Sequence, residues 1–256
     1  MIGLDHIEDR PLTVLAWDTA TPWCAVALVL FDRFGLKTDE FVGDKGPHSQ
    51  ILPPQAALML EKASLKPADL DLLAVGRGPG SFTGLRTGLA LAKGLAMGSG
   101  RPLIGISTLE TLAASMLDGR EDENLLAAPL IDARHREVYA ALYRAVPGDN
   151  GRSSLECLLE PRPMAPEEVT ARLAEAAAGR KIIAAGPALN LVREVLGGLP
   201  EGLEAGPEDL APSAVMLARL AVTRFREFSA TAAELYPPLP MYIRQPDIRK
   251  SGLVMR

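Results

Sequence analysis

Two stretches of this 256-residue chain repeat one pattern. Leu15–Leu28 reads LAWDTATPWCAVAL and Pro129–Leu142 reads PLIDARHREVYAAL. Each is an apolar strand, an aspartate, a short turn and a second apolar strand: a hairpin with its acidic residue where the chain reverses. The surroundings repeat too. In the first half, strands at Leu12–Trp17, Cys24–Phe31 and Leu36–Val42 precede a helix over His48–Ser64, a strand at Leu72–Val75 and a helix over Ser81–Gly98. In the second, strands at Ala127–Ile131, Glu137–Arg144 and Leu155–Leu159 precede a helix over Glu167–Ala178 and a strand at Lys181–Ala185. Further helices follow, the longest over Pro212–Phe228. Pro53 and Pro54 require the helix over His48–Ser64 to start late or to kink. Such an echo argues for a duplicated β-β-β-α-β-α unit. The expected class is α/β with an N-terminal lobe over 1–105 and a C-terminal lobe over 106–256, bridged by Leu103–Ile106 and a helix over Thr108–Leu117.

Two such lobes facing across a cleft are the architecture of the actin, hexokinase and Hsp70 (ASKHA) group. Between strand and helix in the first lobe lies GRGPG, Gly76–Gly80, with Ser81 where a helix N-cap belongs. Glycines at 76, 78 and 80 permit a tight turn and a close backbone approach. The loop reads either as an anion site at a helix N-terminus or as a structural turn, because it lacks the Gly-Lys-Ser/Thr ending of a P-loop. The helix after it has two apolar stripes. Gly84, Gly88, Leu91, Leu95 and Gly98 share one, and Leu85, Leu89, Ala92 and Ala96 the other. A helix on one sheet needs a single stripe. This one is either sandwiched inside its own lobe or packed on its sheet and against a partner.

Composition excludes several function classes. A net charge of −5 argues against broad nucleic-acid binding by the chain alone. Cys24 and Cys157 are too few for a disulfide framework or a cysteine metal site. The opening MIGLDHIEDR lacks the apolar core of a secretory signal, and no run reaches the ~18–20 apolar residues of a membrane span, so a cytoplasmic location is expected. The histidines are His6, His48 and His135, with no pair four apart to hold a catalytic metal. Asp18 and Asp132 read as metal-coordinating carboxylates or as turn residues that bond their own backbone. His48, at a helix start, reads as a cap or packing residue or as a base.

Several strings together resemble a known family. Asp18-Thr19-Ala20-Thr21, His48-Ser49-Gln50-Ile51-Leu52-Pro53, GRGPGSFTGLRTGLALAKGLA, IGISTLETLA, IDARHREVYAALY and Tyr242-Ile243-Arg244 look like the TsaB family, also called YeaZ. The similarity runs from about Thr13 to Arg244, and GRGPGSFTGLR is its most specific string.

The resemblance implies an accessory subunit of a tRNA-modifying transferase rather than an enzyme. Such proteins pair with the related TsaD, which places threonylcarbamoyl on the adenosine beside the anticodon of tRNAs reading codons that start with A; the ATPase TsaE joins the pair. It implies a partner interface on the helices over His48–Ser64 and Ser81–Gly98, through His48, Ile51, Leu52, Gln55, Gly84, Gly88, Leu91 and Leu95, used for a homodimer when TsaD is absent. It further implies a nucleotide or anion contact at the joint, through Asp18, Gly78, Gly80 and Ser81, with ATP or ADP held there and no cofactor or metal held by this chain alone. Contact with tRNA is through the complex; the basic tail Tyr242–Lys250 reads either as a solvated C-terminus or as a segment that helps to hold its phosphates. Phosphate-handling members of the fold carry Asp-x-Gly in the first hairpin, where this chain has Ala20; the second, Asp132-Ala133-Arg134-His135-Arg136, also lacks glycine. The competing readings are an ATP-binding kinase or ATPase of the same fold and a metallopeptidase-like protein.

Overall fold

The structure, a computed structural model, describes residues 11–32, 35–43, 46–120, 122, 124–147, 153–228 and 239–241. The first ten residues and the basic tail Tyr242–Lys250 lie outside them. The first half of the chain contains β1 (Leu12–Asp18), β2 (Cys24–Asp32), β3 (Gly35–Gly43), α1 (His48–Lys62), β4 (Leu72–Gly76), α2 (Phe82–Ser99), β5 (Leu103–Ile106) and α3 (Thr108–Leu117). The second contains β6 (Leu125–Arg134), β7 (Glu137–Pro147), β8 (Ser153–Met164), α4 (Pro166–Ala177), β9 (Lys181–Ala185), α5 (Leu189–Leu196), β10 (Leu203–Ala205) and α6 (Ala214–Phe228). The halves match element for element, and the repeated unit is β-β-β-α-β-α-β-α. It is longer than the unit read from the sequence because β10 has only three residues, Leu-Glu-Ala, too few to show alternation.

Each half forms a five-stranded sheet, β3-β2-β1-β4-β5 and β8-β7-β6-β9-β10, the same order twice. The three strands of each meander are antiparallel, and the remaining two join the central strand in parallel. This is the duplicated two-lobed α/β (ASKHA) arrangement expected. The central strand β1 is apolar from Val14 to Trp17 because both faces are covered. Leu15 and Trp17 point to α1 and α2, and Val14 and Ala16 point to α6.

The last helix of each half packs on the sheet of the other. α6 covers the N-terminal sheet with Leu217, Ala218, Ala221, Val222 and Phe225, whereas α3 covers the C-terminal sheet with Leu109, Leu112, Ala113 and Met116. A division into 1–105 and 106–256 keeps α3 with the sheet it covers but separates α6 from its own: the N-terminal core is open without residues 214–228. α3 and α6 lie side by side between the sheets. There Arg224 Nη2 stands 2.7 and 2.6 Å from the two Glu110 oxygens, and Arg219 Nη1 stands 3.3 Å from Asp118.

Prolines lie inside two elements. α1 begins at His48 and carries Pro53 and Pro54 within it, so of the late start and the kink read from the sequence the late start does not occur. Both prolines are exposed, as are Ser49 and Gln50, whose carbonyls lose their intrahelical donors to the prolines and face water instead. β8 runs on through Pro161 and Pro163 to Met164. It is an edge strand, where a missing N–H costs no ladder bond on the open side.

Candidate functional site

At the end of β1 the backbone turns on Asp18. One carboxylate oxygen accepts from the Ala20 amide at 2.7 Å and the other from the Thr108 hydroxyl at 2.7 Å. The residue is wholly buried, and burial pushes its carboxyl above the usual carboxylate range against the pull of those two donors. Gly76 lies directly beneath: a Cβ there would stand 2.0 Å from Asp18 Oδ2. Asp18 is thus a clamp tying the first hairpin to β4 and α3. Buried and with both oxygens accepting, it is absent from the lining of the cleft between the lobes.

The glycine loop is stitched to the same hairpin. Ser81 N donates to Ala20 O at 2.7 Å, Thr108 N to Gly78 O at 2.8 Å, and a Cβ at Gly80 would stand 2.1 Å from the Ala20 carbonyl oxygen. Gly78 is buried, with φ of 95°. Ser81 is exposed and caps α2 by accepting from Gly84 N at 3.3 Å. Of the four residues assigned to a nucleotide or anion contact, only Gly80 and Ser81 line the cleft between the lobes.

α2 docks on β1 through its glycines. Trp17 Nε1 donates to Gly88 O at 3.0 Å and Thr19 Oγ1 to Gly84 O at 2.8 Å. A Cβ at Gly84 would stand 1.9 Å from Thr19 O, and one at Gly88 would stand 2.4 Å from Thr19 Oγ1. Both glycines are buried against the chain's own hairpin, as Leu52 is in its own core, so none of the three offers a side chain to the surface of this chain. His48 is half-buried beside them, with Nε2 3.3 Å from Pro22 O. It also lines the cleft between the lobes.

The solvent face of α1 and α2 lies a quarter turn away. Leu91 and Leu95 line a groove of about 350 Å³ between the helices, facing Pro53, Ala57 and Leu65. Ile51 and Gln55 are half-buried on α1. On α2, Ala90, Gly94, Met97 and Gly98 are exposed, Met97 at 83%, and a Cβ at Gly94 or Gly98 would touch nothing within 4 Å. Glycines four apart do mark an open helix face, but at 94 and 98 rather than at 84 and 88. The apolar spacing Ala90–Gly94–Met97 was the signal for it.

A cleft of about 920 Å³ separates the lobes, with the two hairpin turns among its walls. The turns are built alike: Asp132 Oδ1 accepts from Arg134 N at 2.7 Å as Asp18 accepts from Ala20 N. In each turn the amide two residues after the aspartate is therefore already taken. Asp132 remains exposed, with Arg134 3.6 Å away. Among the described residues no three His, Cys, Asp or Glu side chains converge as a metal-binding group. Burial above all pushes the Cys24 and Cys157 thiols up to about 11, so neither is a thiolate at neutral pH.

Arg134, His135 and Arg136 hold φ of 65°, 52° and 61°, three successive non-glycine residues in the left-handed region. Each costs of order 1 kcal/mol. Arg136→Gly is accordingly expected to stabilise the chain by about 0.5 kcal/mol net of glycine's extra chain entropy. A urea midpoint that falls instead would show the exposed Arg136 side chain to be a stabilising contact.

Comparison with known proteins places this geometry. A family model for TsaD, tRNA N6-adenosine threonylcarbamoyltransferase, matches residues 45–248. A protein of Escherichia coli (strain K12) described as tRNA threonylcarbamoyladenosine biosynthesis protein TsaB is 41% identical over 133 residues, 52% of this chain and 55% of that one. Its namesake in Haemophilus influenzae is 42% identical over 128 residues, 50% of this chain and 52% of that one. The chain thus spans about half the length of the curated relatives it matches. The solved structure of YeaZ from Pseudomonas aeruginosa has a TM-score of 0.69 and 27% identity, covering 85% of this chain and 94% of that one. No helix among the described residues is long and apolar enough to cross a membrane. With the family model spanning most of its length, the chain belongs to the TsaD family, in its TsaB/YeaZ branch.

Proposed function

We propose that this chain is a non-catalytic accessory subunit in tRNA threonylcarbamoyladenosine formation. It pairs with a catalytic TsaD-type transferase through the open face of α1 and α2, and pairs with itself through that face when the transferase is absent. TsaE and tRNA join at the level of the complex, in the cytoplasm, and the modified tRNAs are those reading codons that start with A. The observation that carries the reading is the apolar helix face Ala90–Gly94–Met97 beside the groove lined by Leu91 and Leu95. Small residues there let a partner helix approach closely, and the groove accepts its side chains. The non-catalytic part rests on the hairpin turns, where the amides of Ala20 and Arg134 bond aspartate rather than facing a ligand. A nucleotide at the joint would meet Gly80 and Ser81.

Met97→Glu tests the pairing, because a charge at the centre of an apolar contact costs what a hot spot contributes, about 2 kcal/mol or more. Affinity for the TsaD-type partner, measured by titration of the purified proteins, is expected to fall roughly 30-fold or more. The melting temperature of the isolated variant should match the wild type, since Met97 is 83% exposed. Unchanged pairing would place the interface elsewhere.

A further inference from the structure

Arg77 is the one residue of the GRGPG loop whose side chain nothing so far explains. Its backbone fixes its place: Arg77 N donates to Ile106 O at 2.9 Å, and Met241 N donates to Arg77 O at 2.8 Å. It therefore follows β4 directly at the end of β5, beside the N-terminus of α3. From α6, Arg224 reaches the same corner, with Nη1 3.4 Å from Gly105 O and Nη2 on both oxygens of Glu110. Two guanidinium groups and one carboxylate thus meet where the crossed helices join the N-terminal sheet.

The charges there do not balance. Glu110 is the acidic group acting on Arg77, and Arg224 already occupies both its oxygens. Among the described residues Arg77 Nε is buried with no hydrogen-bond partner, and the residue as a whole is half-buried. Burial, and then repulsion from Arg224, pull its proton affinity below the ordinary arginine value. A buried guanidinium N–H without an acceptor is costly, and the planar fork of arginine matches the oxygens of a carboxylate or a phosphate. Glu110 faces both cations and can neutralise only one of them.

We propose that Arg77, with Arg224 behind it, is a receptor for one oxyanion at the seam between the lobes. The ligand presents a phosphate or carboxylate group. The site is separate from the partner face of α1 and α2 and stands whether or not that face binds a transferase.

The test is urea unfolding of the purified chain at constant ionic strength, with chloride replaced stepwise by phosphate in one series and by succinate in another. Binding to the folded state raises the folding constant by the factor 1 + [anion]/Kd, about elevenfold at ten times Kd. A saturable rise in either series, lost in Arg77→Gln, supports the proposal, and the series that responds identifies the oxyanion. In chloride alone Arg77→Gln should unfold at the same or a higher urea concentration than wild type. An equal rise in wild type and variant is the general effect of an excluded salt and overturns the proposal; so does no rise in either series. If Arg77→Gln does not fold, equilibrium dialysis of the wild-type chain against radiolabelled phosphate and succinate decides. About one anion per chain supports the site and none overturns it.

Discussion

Gly84→Ala is expected to lower the stability of the isolated chain by about 2 kcal/mol, and Gly94→Ala on the same helix to raise it by about 0.5–1 kcal/mol. Both changes gain the same helix propensity, so their difference isolates packing. At 84 the new methyl would stand 1.9 Å from the Thr19 carbonyl oxygen and 3.0 Å from His48 Nδ1. A backbone oxygen cannot rotate aside, so α2 must lift off the hairpin and stretch the 2.8 Å bond from Thr19 Oγ1 to Gly84 O. At 94 the methyl meets nothing within 4 Å. Gly88→Leu belongs with the first case, since its Cβ alone would stand 2.4 Å from Thr19 Oγ1. Urea midpoints of the purified variants provide the measurement. A Gly84→Ala chain as stable as wild type but defective in pairing would return that glycine to the partner interface.

Asp18→Ala should cost about 3 kcal/mol, because it leaves two buried donors unsatisfied at ~1–3 kcal/mol each. They are the Ala20 amide and the Thr108 hydroxyl. Asp18→Asn keeps an acceptor for the amide and gains a donor for the hydroxyl, so its cost is small, and it removes a titration. The folded-state value of Asp18 is raised by burial. Its unfolded value is the ordinary carboxylate one, near ~3.9. The folded state therefore holds the proton more tightly, and the stability this contributes is complete below the unfolded value and lost as pH rises through the raised folded one. Unfolding midpoints measured from pH 4 upward should thus fall more steeply in wild type than in Asp18→Asn. Parallel curves would mean that Asp18 is not raised.

The hairpin aspartates show how far a pattern reaches. From the sequence, Asp18 and Asp132 are equivalent: each ends an apolar strand, and each reads as a turn residue or a ligand. In the fold both accept from the amide two residues on, yet Asp18 is sealed and Asp132 stands at 45% side-chain exposure. Thr108 makes the difference. It comes from α3, 90 residues away in sequence, and nothing near Asp18 announces it.

The sequence by itself determined the strands and helices, their duplication and hence the two-lobed class, because alternation and helical spacing are local and were repeated. Ser81 as the cap of α2 was legible for the same reason. Which surface each apolar stripe meets was decided only by the tertiary structure. A stripe states that a face is covered and leaves open what covers it. α6 therefore covers the sheet of the other half, and Gly84 and Gly88 face Thr19 while Gly94 and Gly98 face solvent. The charges followed the packing. Arg77 and Glu110 are ordinary surface letters in the sequence, and only the crossing of α3 and α6 brings Arg224 to Glu110, with Arg77 Nε left unpaired among the described residues.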